Sequence, residues 1–178
     1  YVVASYDPTT HEILDFASVE VQGVYISGNL RNAFEEYMRN PSTEFQWTGK
    51  NSPHPDYLSS SRKRLIPQML YKGGILKTWG KKQCVVIQES FYKTLPELPE
   101  VPKEQADIAW FLYDLTHDPK DNMYHLTLVR TVYTEFTQAL NVVTTPKAGD
   151  INTFVNLLQT KLDERKGVAP DLPQTINL

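Results

Sequence analysis

The sequence predicts an α/β protein in which a mixed sheet is flanked by helices. Strand-like runs at 12–26 and 82–92 alternate along the chain with apolar residues at helical spacing in 29–38 and 151–162. The chain has 178 residues, of which 40% are hydrophobic, so it is long and apolar enough to bury one core of ordinary size.

The first predicted elements form a hairpin followed by a helix. Residues 2–7 predict a strand, and the turn formers from Asp7 to Thr10 join it to the longer strand at 12–26. Asn29 is a suitable N-cap for a helix that continues to Met38.

The middle of the chain predicts one helix and three strands. A loop at 40–58 precedes a helix at 58–72, which Pro67 is expected to kink and two following glycines to end. Strands are then predicted at 82–92, 106–115 and 123–132, and a connector with three prolines occupies 94–103.

The last third predicts a helix and a tail. Residues 133–143 fit a helix or a strand equally well, whereas Asp150 caps a clear helix that we expect to stop at Gly167. We therefore expect one domain at 1–167 and an extended tail at 168–178. Because a strand begins at the first residue, we also expect an N-terminal part to be missing.

Composition limits the classes of function. The net charge of −3 gives no overall basic character, so binding of nucleic acid requires a local basic patch. The single Cys84 excludes an internal disulfide and a multi-cysteine zinc site, in agreement with a reducing, cytoplasmic location. No apolar run approaches the roughly 20 residues of a membrane helix, so no membrane partner is expected.

Two polar residues interrupt the apolar strand at 12–26. Glu20 and Gln22 are two positions apart, so in an extended chain they share one face, opposite Val19 and Val21. A divalent metal ion would satisfy these oxygen atoms, and so would water on the exposed face of an edge strand. The spacing alone leaves both interpretations open.

A basic cluster lies near the start of the helix predicted at 58–72. Arg62, Lys63 and Arg64 follow three serines, and cations beside hydroxyls and helical N–H groups suit phosphate contacts. A solvated helix face is the alternative. A rival metal site is Glu89, which follows another apolar strand but is more typical of a strand end.

Four stretches of the chain resemble a known family. Residues 19–29 resemble the core strand of PD-(D/E)xK nucleases, more narrowly the NotI-like type II restriction endonucleases, and 65–72, 79–87 and 106–115 fit the same family. The resemblance covers about 12–140 and implies a restriction-endonuclease-like PD-(D/E)xK core.

The resemblance also implies an activity and its residues. It makes Glu20 a metal-binding, catalytic carboxylate and places Gln22 where lysine is more common, with Arg62, Lys63 and Arg64 as DNA-binding candidates. The expected function is cleavage of a specific double-stranded DNA site with Mg²⁺, by a homodimer. The expected alternative is a non-catalytic DNA- or protein-binding module of the same fold, and a repair or RNA-processing nuclease is a weaker third.

The family's second acid lies across the hairpin from the glutamate. Asp7 is at the turn and Asp15 is on the Val19 face of the strand, so neither fits. Counting along the hairpin, we expect the partner aspartate slightly upstream of Tyr1.

Overall fold

A computed structural model describes residues 1–42, 44–46, 52–145 and 148–166. The chain divides into two compact units, 1–144 and 145–178, which are described separately. The strands of the first unit are, in chain order, β1 (Val2–Tyr6), β2 (Ile13–Gln22), β3 (Tyr25–Ser27), β4 (His54–Asp56), β5 (Gln83–Gln88), β6 (Ile108–Asp118) and β7 (Met123–Thr134).

The helices of the first unit are α1 (Leu30–Arg39), α2 (57–78), α3 (Glu89–Tyr92) and α4 (Phe136–Thr144). The longest, α2, contains two stretches of wider, π-helical turns at Ser61–Leu65 and Met69–Gly73. As predicted, the side chain of Asn29 caps α1 by accepting a hydrogen bond from the Asn32 N–H.

Five strands form one mixed sheet in the order β1-β2-β5-β6-β7. The inner pairs β2/β5 and β5/β6 are parallel, and the outer pairs β1/β2 and β6/β7 are antiparallel. A parallel pair requires a long crossover, and α2 lies in the crossover from β2 to β5. The predicted α/β class with a mixed sheet flanked by helices is therefore confirmed.

The core lies on one face of this sheet. Val85 and Ile87 of β5 and Trp110 of β6 are almost fully buried in one cluster with Leu65 and Met69 of α2. The indole Nε1 of Trp110 donates a hydrogen bond of 2.9 Å to the hydroxyl of Thr134, which satisfies both buried polar groups.

Two predicted boundaries are wrong. The strand predicted at 12–26 ends at Gln22, and the chain resumes as β3, paired with β4 in a separate two-stranded sheet. The helix predicted to end at Gly73 continues to Thr78. Gly73 is required for packing and not for termination, because a Cβ there would lie 2.7 Å from Cδ2 of Phe136 and 2.8 Å from Oε1 of Gln83.

Three further expectations are refined. Pro67 does not interrupt α2, in which it lies between the two stretches of wider turns. The strand predicted at 82–92 divides into β5 and α3. The ambiguous segment 133–143 ends β7 and then forms α4, whose first N–H donates to the carboxylate of Asp107.

The second unit contains α5 (Ile151–Lys166). As predicted, Asp150 caps it, and its carboxylate accepts hydrogen bonds from the N–H and hydroxyl of Thr153. The predicted stop at Gly167 and the tail at 168–178 lie outside the described residues. Among the residues that are described, the helices are too short or too polar to span a membrane.

Candidate active site

A cleft of about 510 Å³ opens between the end of β2 and the first half of α2. Glu20 and Gln22 form one wall of this cleft together with the backbone that follows them, and Lys63 and Arg64 stand on the other. The cleft thus brings together four of the five residues that the sequence predicted for the site. Arg62 is exposed and does not contribute to this lining.

The sheet register explains why Glu20 and Gln22 point toward α2. Glu20 is paired with Val85 and Gln22 with Ile87 across the parallel β2/β5 ladder. Paired residues share a face of the sheet, and the two β5 residues are buried in the core beneath α2. Glu20 and Gln22 therefore lie at the edge of the core, at the part of β2 that α2 does not cover.

Glu20 is a largely buried carboxylate held by one cation. Its side chain is 16% exposed, and Oε2 accepts a hydrogen bond of 2.7 Å from Nζ of Lys72. Gln22 is 8% exposed, and its Nε2 donates to the Gly23 carbonyl at 2.7 Å. The amide nitrogen is thus engaged with the backbone, and the side-chain oxygen is the atom suited to a cation.

Lys72 is a residue of this site that the sequence did not predict. Arg64, Gln68 and Lys72 recur every four residues, so they follow one face of α2, beside the buried Leu65 and Met69. This spacing of four was the signal available in the sequence. It identifies Lys72 as a site residue only when the strand that lies beneath the helix is known.

Side chains at the start of α2 fix the helix to the strand end. The Ser60 hydroxyl accepts a hydrogen bond from the Tyr25 N–H and donates one to the Asp56 carbonyl, both at 2.8 Å. The Arg64 guanidinium lies over the Tyr25 ring, 5.3 Å from its centroid. These contacts hold the basic cluster beside the backbone that follows Gln22.

Asp56 is the N-cap of α2, and we predict that its contribution to stability depends on pH. The Ser59 N–H donates to its carboxylate at 2.9 Å, and this bond is the main reason that the pKa of Asp56 lies below its ordinary 3.8. A lowered native pKa gives stability that is present above pH 3.8 and is lost as the pH falls through the native pKa. Asp56→Ala should therefore lower the urea midpoint at pH 7, by an amount that shrinks in acid. A difference between the two proteins that stays constant down to pH 2 would contradict this role.

The hairpin register locates the position opposite Glu20. Tyr1 and Val19 exchange two backbone hydrogen bonds of 2.8 Å, so Glu20 lies opposite the position immediately before Tyr1. This agrees with the count made from the sequence. Asp15 is paired with Ser5 and bound to Lys81, and Asp7 accepts hydrogen bonds within the turn, so neither lies opposite Glu20.

Two other acidic groups lie apart from the cleft. Glu89 forms ion pairs with Lys93 at 3.3 Å and Arg130 at 3.7 Å, and it does not line the cleft. The tip of the β6/β7 hairpin brings Asp118, Asp121 and His125 together, with one ligand atom of each within 4.8 Å of the others. The sequence did not predict this cluster.

The donor set of the cleft fits a magnesium ion. Mg²⁺ takes hard oxygen ligands and is commonly bound by one or two carboxylates together with water and substrate phosphate. The Glu20 carboxylate and the Gln22 amide oxygen are ligands of this kind on one face of one strand. Lys72 already neutralises Glu20, which shows that the position accommodates a positive charge.

The fold and this cleft define a class of protein. A mixed sheet with a parallel centre, an acid–amide pair on an inner strand and a basic helix beside it has the restriction-endonuclease-like α/β architecture. A family model described as restriction endonuclease NotI matches residues 1–126. The chain therefore belongs to the NotI restriction endonuclease family. No match was found among curated proteins.

Proposed function

We propose that this chain is the catalytic core of a type II restriction endonuclease that hydrolyses phosphodiester bonds at a specific double-stranded DNA site with Mg²⁺. The observation that carries the proposal is the cleft, in which Glu20 and Gln22 face Lys63 and Arg64. Membership of the NotI family supports DNA as the substrate. A carboxylate beside two cations suits a substrate that carries phosphate and a reaction that needs a metal ion.

The residues have distinct roles in a site of the PD-(D/E)xK type. Glu20 would hold the metal ion, with the Gln22 amide oxygen as a second ligand or as a hydrogen-bond acceptor that orients water. Gln22 is uncharged and does not accept a proton near neutral pH, so it positions groups and does not act as a base. When bound, Mg²⁺ would supply charge neutralisation at the phosphate and a lower pKa for water.

The reaction itself is a substitution at phosphorus. The oxygen of a water molecule forms a bond to phosphorus, and the bond from phosphorus to one ester oxygen breaks. One proton of the water ends on the departing ester oxygen, and the other is retained by the phosphate monoester or released to solvent. The protein contributes mainly by positioning the phosphate and by stabilising the negative charge that develops on its oxygens.

The same proposal includes the partners of the protein. Double-stranded recognition sites are usually symmetric, so a homodimer with one cleft on each strand fits cleavage of both strands. Such an enzyme would act in the cytoplasm, where its DNA substrate is. Sedimentation of the full-length protein at micromolar concentration tests the dimer, and a monomer that cleaves both strands in one encounter would contradict it.

Digestion of plasmid DNA by the full-length protein tests the function. We expect discrete fragments with Mg²⁺ and none with EDTA. A smear of products would indicate a nuclease without site specificity, and intact DNA with every divalent metal would contradict the proposal.

The two cations of the cleft predict a salt dependence of DNA binding. Lys63→Gln and Arg64→Gln each remove one proposed phosphate contact, so each should reduce the slope of log Kobs against log salt by about 0.9. Arg62→Gln is the comparison variant: Arg62 was also predicted to bind DNA, but it is outside the cleft lining, so its slope should change less. Fluorescence anisotropy with Ca²⁺ in place of Mg²⁺ measures the slopes, and equal slopes for all four proteins would contradict this assignment.

One observation favours a second candidate function, a non-catalytic DNA-binding module. Glu20 is the single carboxylate among the described residues that line the cleft. A site with too few acids binds phosphate without hydrolysing it. DNA binding that persists in EDTA, with no cleavage under any metal ion, would support this alternative.

A further inference from the structure

The contact between Lys72 and Glu20 joins two residues that are 52 positions apart in the sequence. The Lys72 side chain is 46% exposed and reaches from α2 across the rim of the cleft to a carboxylate that is 16% exposed. An ion pair with one half-exposed partner adds little to stability, typically under about 1 kcal/mol. Its position at the proposed metal ligand suggests a role in the reaction instead.

A second lysine of the same helix shows what a structural pair looks like. Lys77 contacts Asp107 at 3.1 Å and also donates to the Thr137 hydroxyl, and Asp107 in turn caps α4. That pair belongs to a network that joins α2 and α4 through the residue before β6. Within the described part of the chain, the side chains of Lys72 and Glu20 form a hydrogen bond and an ion pair with each other and with no other residue. Lys72 can therefore change its partner without breaking a network.

Lys72 lies on the same face of α2 as Arg64 and Gln68. Arg64 lies over Tyr25, Gln68 lines the cleft, and Lys72 lies at Glu20, each one turn further along the helix. The helix thus runs beside the backbone from 25 back to 20. A DNA strand that contacts Arg64 and reaches Glu20 meets the Lys72 ammonium at the point where the bond would be cleaved.

We propose that Lys72 supplies, from α2, the positive charge at the scissile phosphate that Gln22 cannot supply from β2. This inference rests on the function proposed above. In the free protein Nζ of Lys72 neutralises Glu20. In the complex Glu20 would hold the metal ion, and Nζ of Lys72 would then be free to donate to a non-bridging oxygen of the phosphate. There it stabilises the charge that develops on this oxygen as water attacks phosphorus.

Lys72→Gln should change the cleavage rate, the salt dependence of DNA binding and the affinity for Ca²⁺. The maximal cleavage rate should fall about 10²- to 10³-fold, as for loss of one group that stabilises transition-state charge. The salt slope of DNA binding should fall by about 0.9, for one phosphate contact. Ca²⁺ binding in the absence of DNA should become tighter, because the cation that competes for Glu20 is gone.

Matched variants separate this role from a structural one. Lys72→Arg keeps the charge and should recover most of the rate. Lys77→Gln removes the other ion-paired lysine of α2 and should leave rate, slope and Ca²⁺ affinity unchanged. The loss in Lys72→Gln should therefore be specific, and it should appear in kcat more than in KM. Single-turnover cleavage, anisotropy and calorimetric Ca²⁺ titration of the full-length proteins give the readouts.

The outcomes distinguish this inference from the function on which it rests. If Glu20→Gln abolishes cleavage but Lys72→Gln cleaves within twofold of the unmodified protein, the proposed function stands and the role of Lys72 is wrong. The same holds if Lys72→Gln binds Ca²⁺ more weakly, or if Lys77→Gln loses as much activity. The proposed function is wrong as well if the unmodified protein fails to cleave DNA and if its Ca²⁺ affinity is the same as that of Glu20→Gln.

Discussion

Glu20→Gln is expected to abolish DNA cleavage and to leave DNA binding largely intact. The substitution keeps the size of the side chain but removes the one carboxylate that the described lining of the cleft contains. A metal ion contributes several kcal/mol to transition-state stabilisation, so the cleavage rate should fall by at least about 10³-fold. Single-turnover digestion with Mg²⁺ measures the rate, and anisotropy with Ca²⁺ measures binding.

The control for this variant is Glu12→Gln. Glu12 is an exposed glutamate in the hairpin between β1 and β2, away from the cleft. It should cleave at the normal rate. Glu20→Gln with cleavage within tenfold of normal would show that the metal ligand is elsewhere.

The second large effect is expected at Gly73. Gly73→Ala should destabilise the first unit by about 1–3 kcal/mol, because the added methyl group overpacks the core against Phe136 and Gln83. The usual effect of this change in a helix is opposite, since alanine is favoured over glycine by up to about 1 kcal/mol. Urea unfolding followed by tryptophan fluorescence measures the change, and Trp110 is a suitable reporter because it is fully buried in the core.

Gly74→Ala is the matched control. A Cβ at Gly74 would have Cζ of Phe136 at 3.8 Å as its nearest neighbour, which is an ordinary contact. This variant should be neutral or slightly more stable, with up to about 1 kcal/mol gained. Equal effects at the two neighbouring glycines would contradict the close packing of Gly73 against Phe136 and Gln83.

Gly73 also illustrates why parts of the fold could not be predicted from the sequence. Two consecutive glycines are a typical end of a helix, and local propensity carries no information about Phe136, which is 63 positions away. The strand that was predicted to continue through Gly23 failed for a similar reason, because its second half pairs with β4 and not with β5. The strands predicted at 106–115 and 123–132 and the helix starts capped by Asn29 and Asp150 are confirmed, since their signals are local.

The candidate site divides in the same way. The shared face of Glu20 and Gln22 follows from the period of a strand, and the position opposite Glu20 follows from counting along a hairpin. Each of these two inferences needs only one predicted element and its neighbour in the chain. The approach of Lys72 depends on how α2 crosses the sheet, which the spacing within the helix did not reveal.

Iron-directed cleavage of the polypeptide tests most directly whether a divalent metal ion binds at Glu20. Fe²⁺ bound in place of Mg²⁺ generates hydroxyl radicals with ascorbate and peroxide, and these cut the backbone next to the metal. We predict cuts within 19–24 and near 68–72 of the full-length protein, suppressed by excess Mg²⁺ and lost in Glu20→Gln. Cuts confined to the hairpin tip, around Asp118, Asp121 and His125, or a pattern unchanged by Glu20→Gln, would contradict the account.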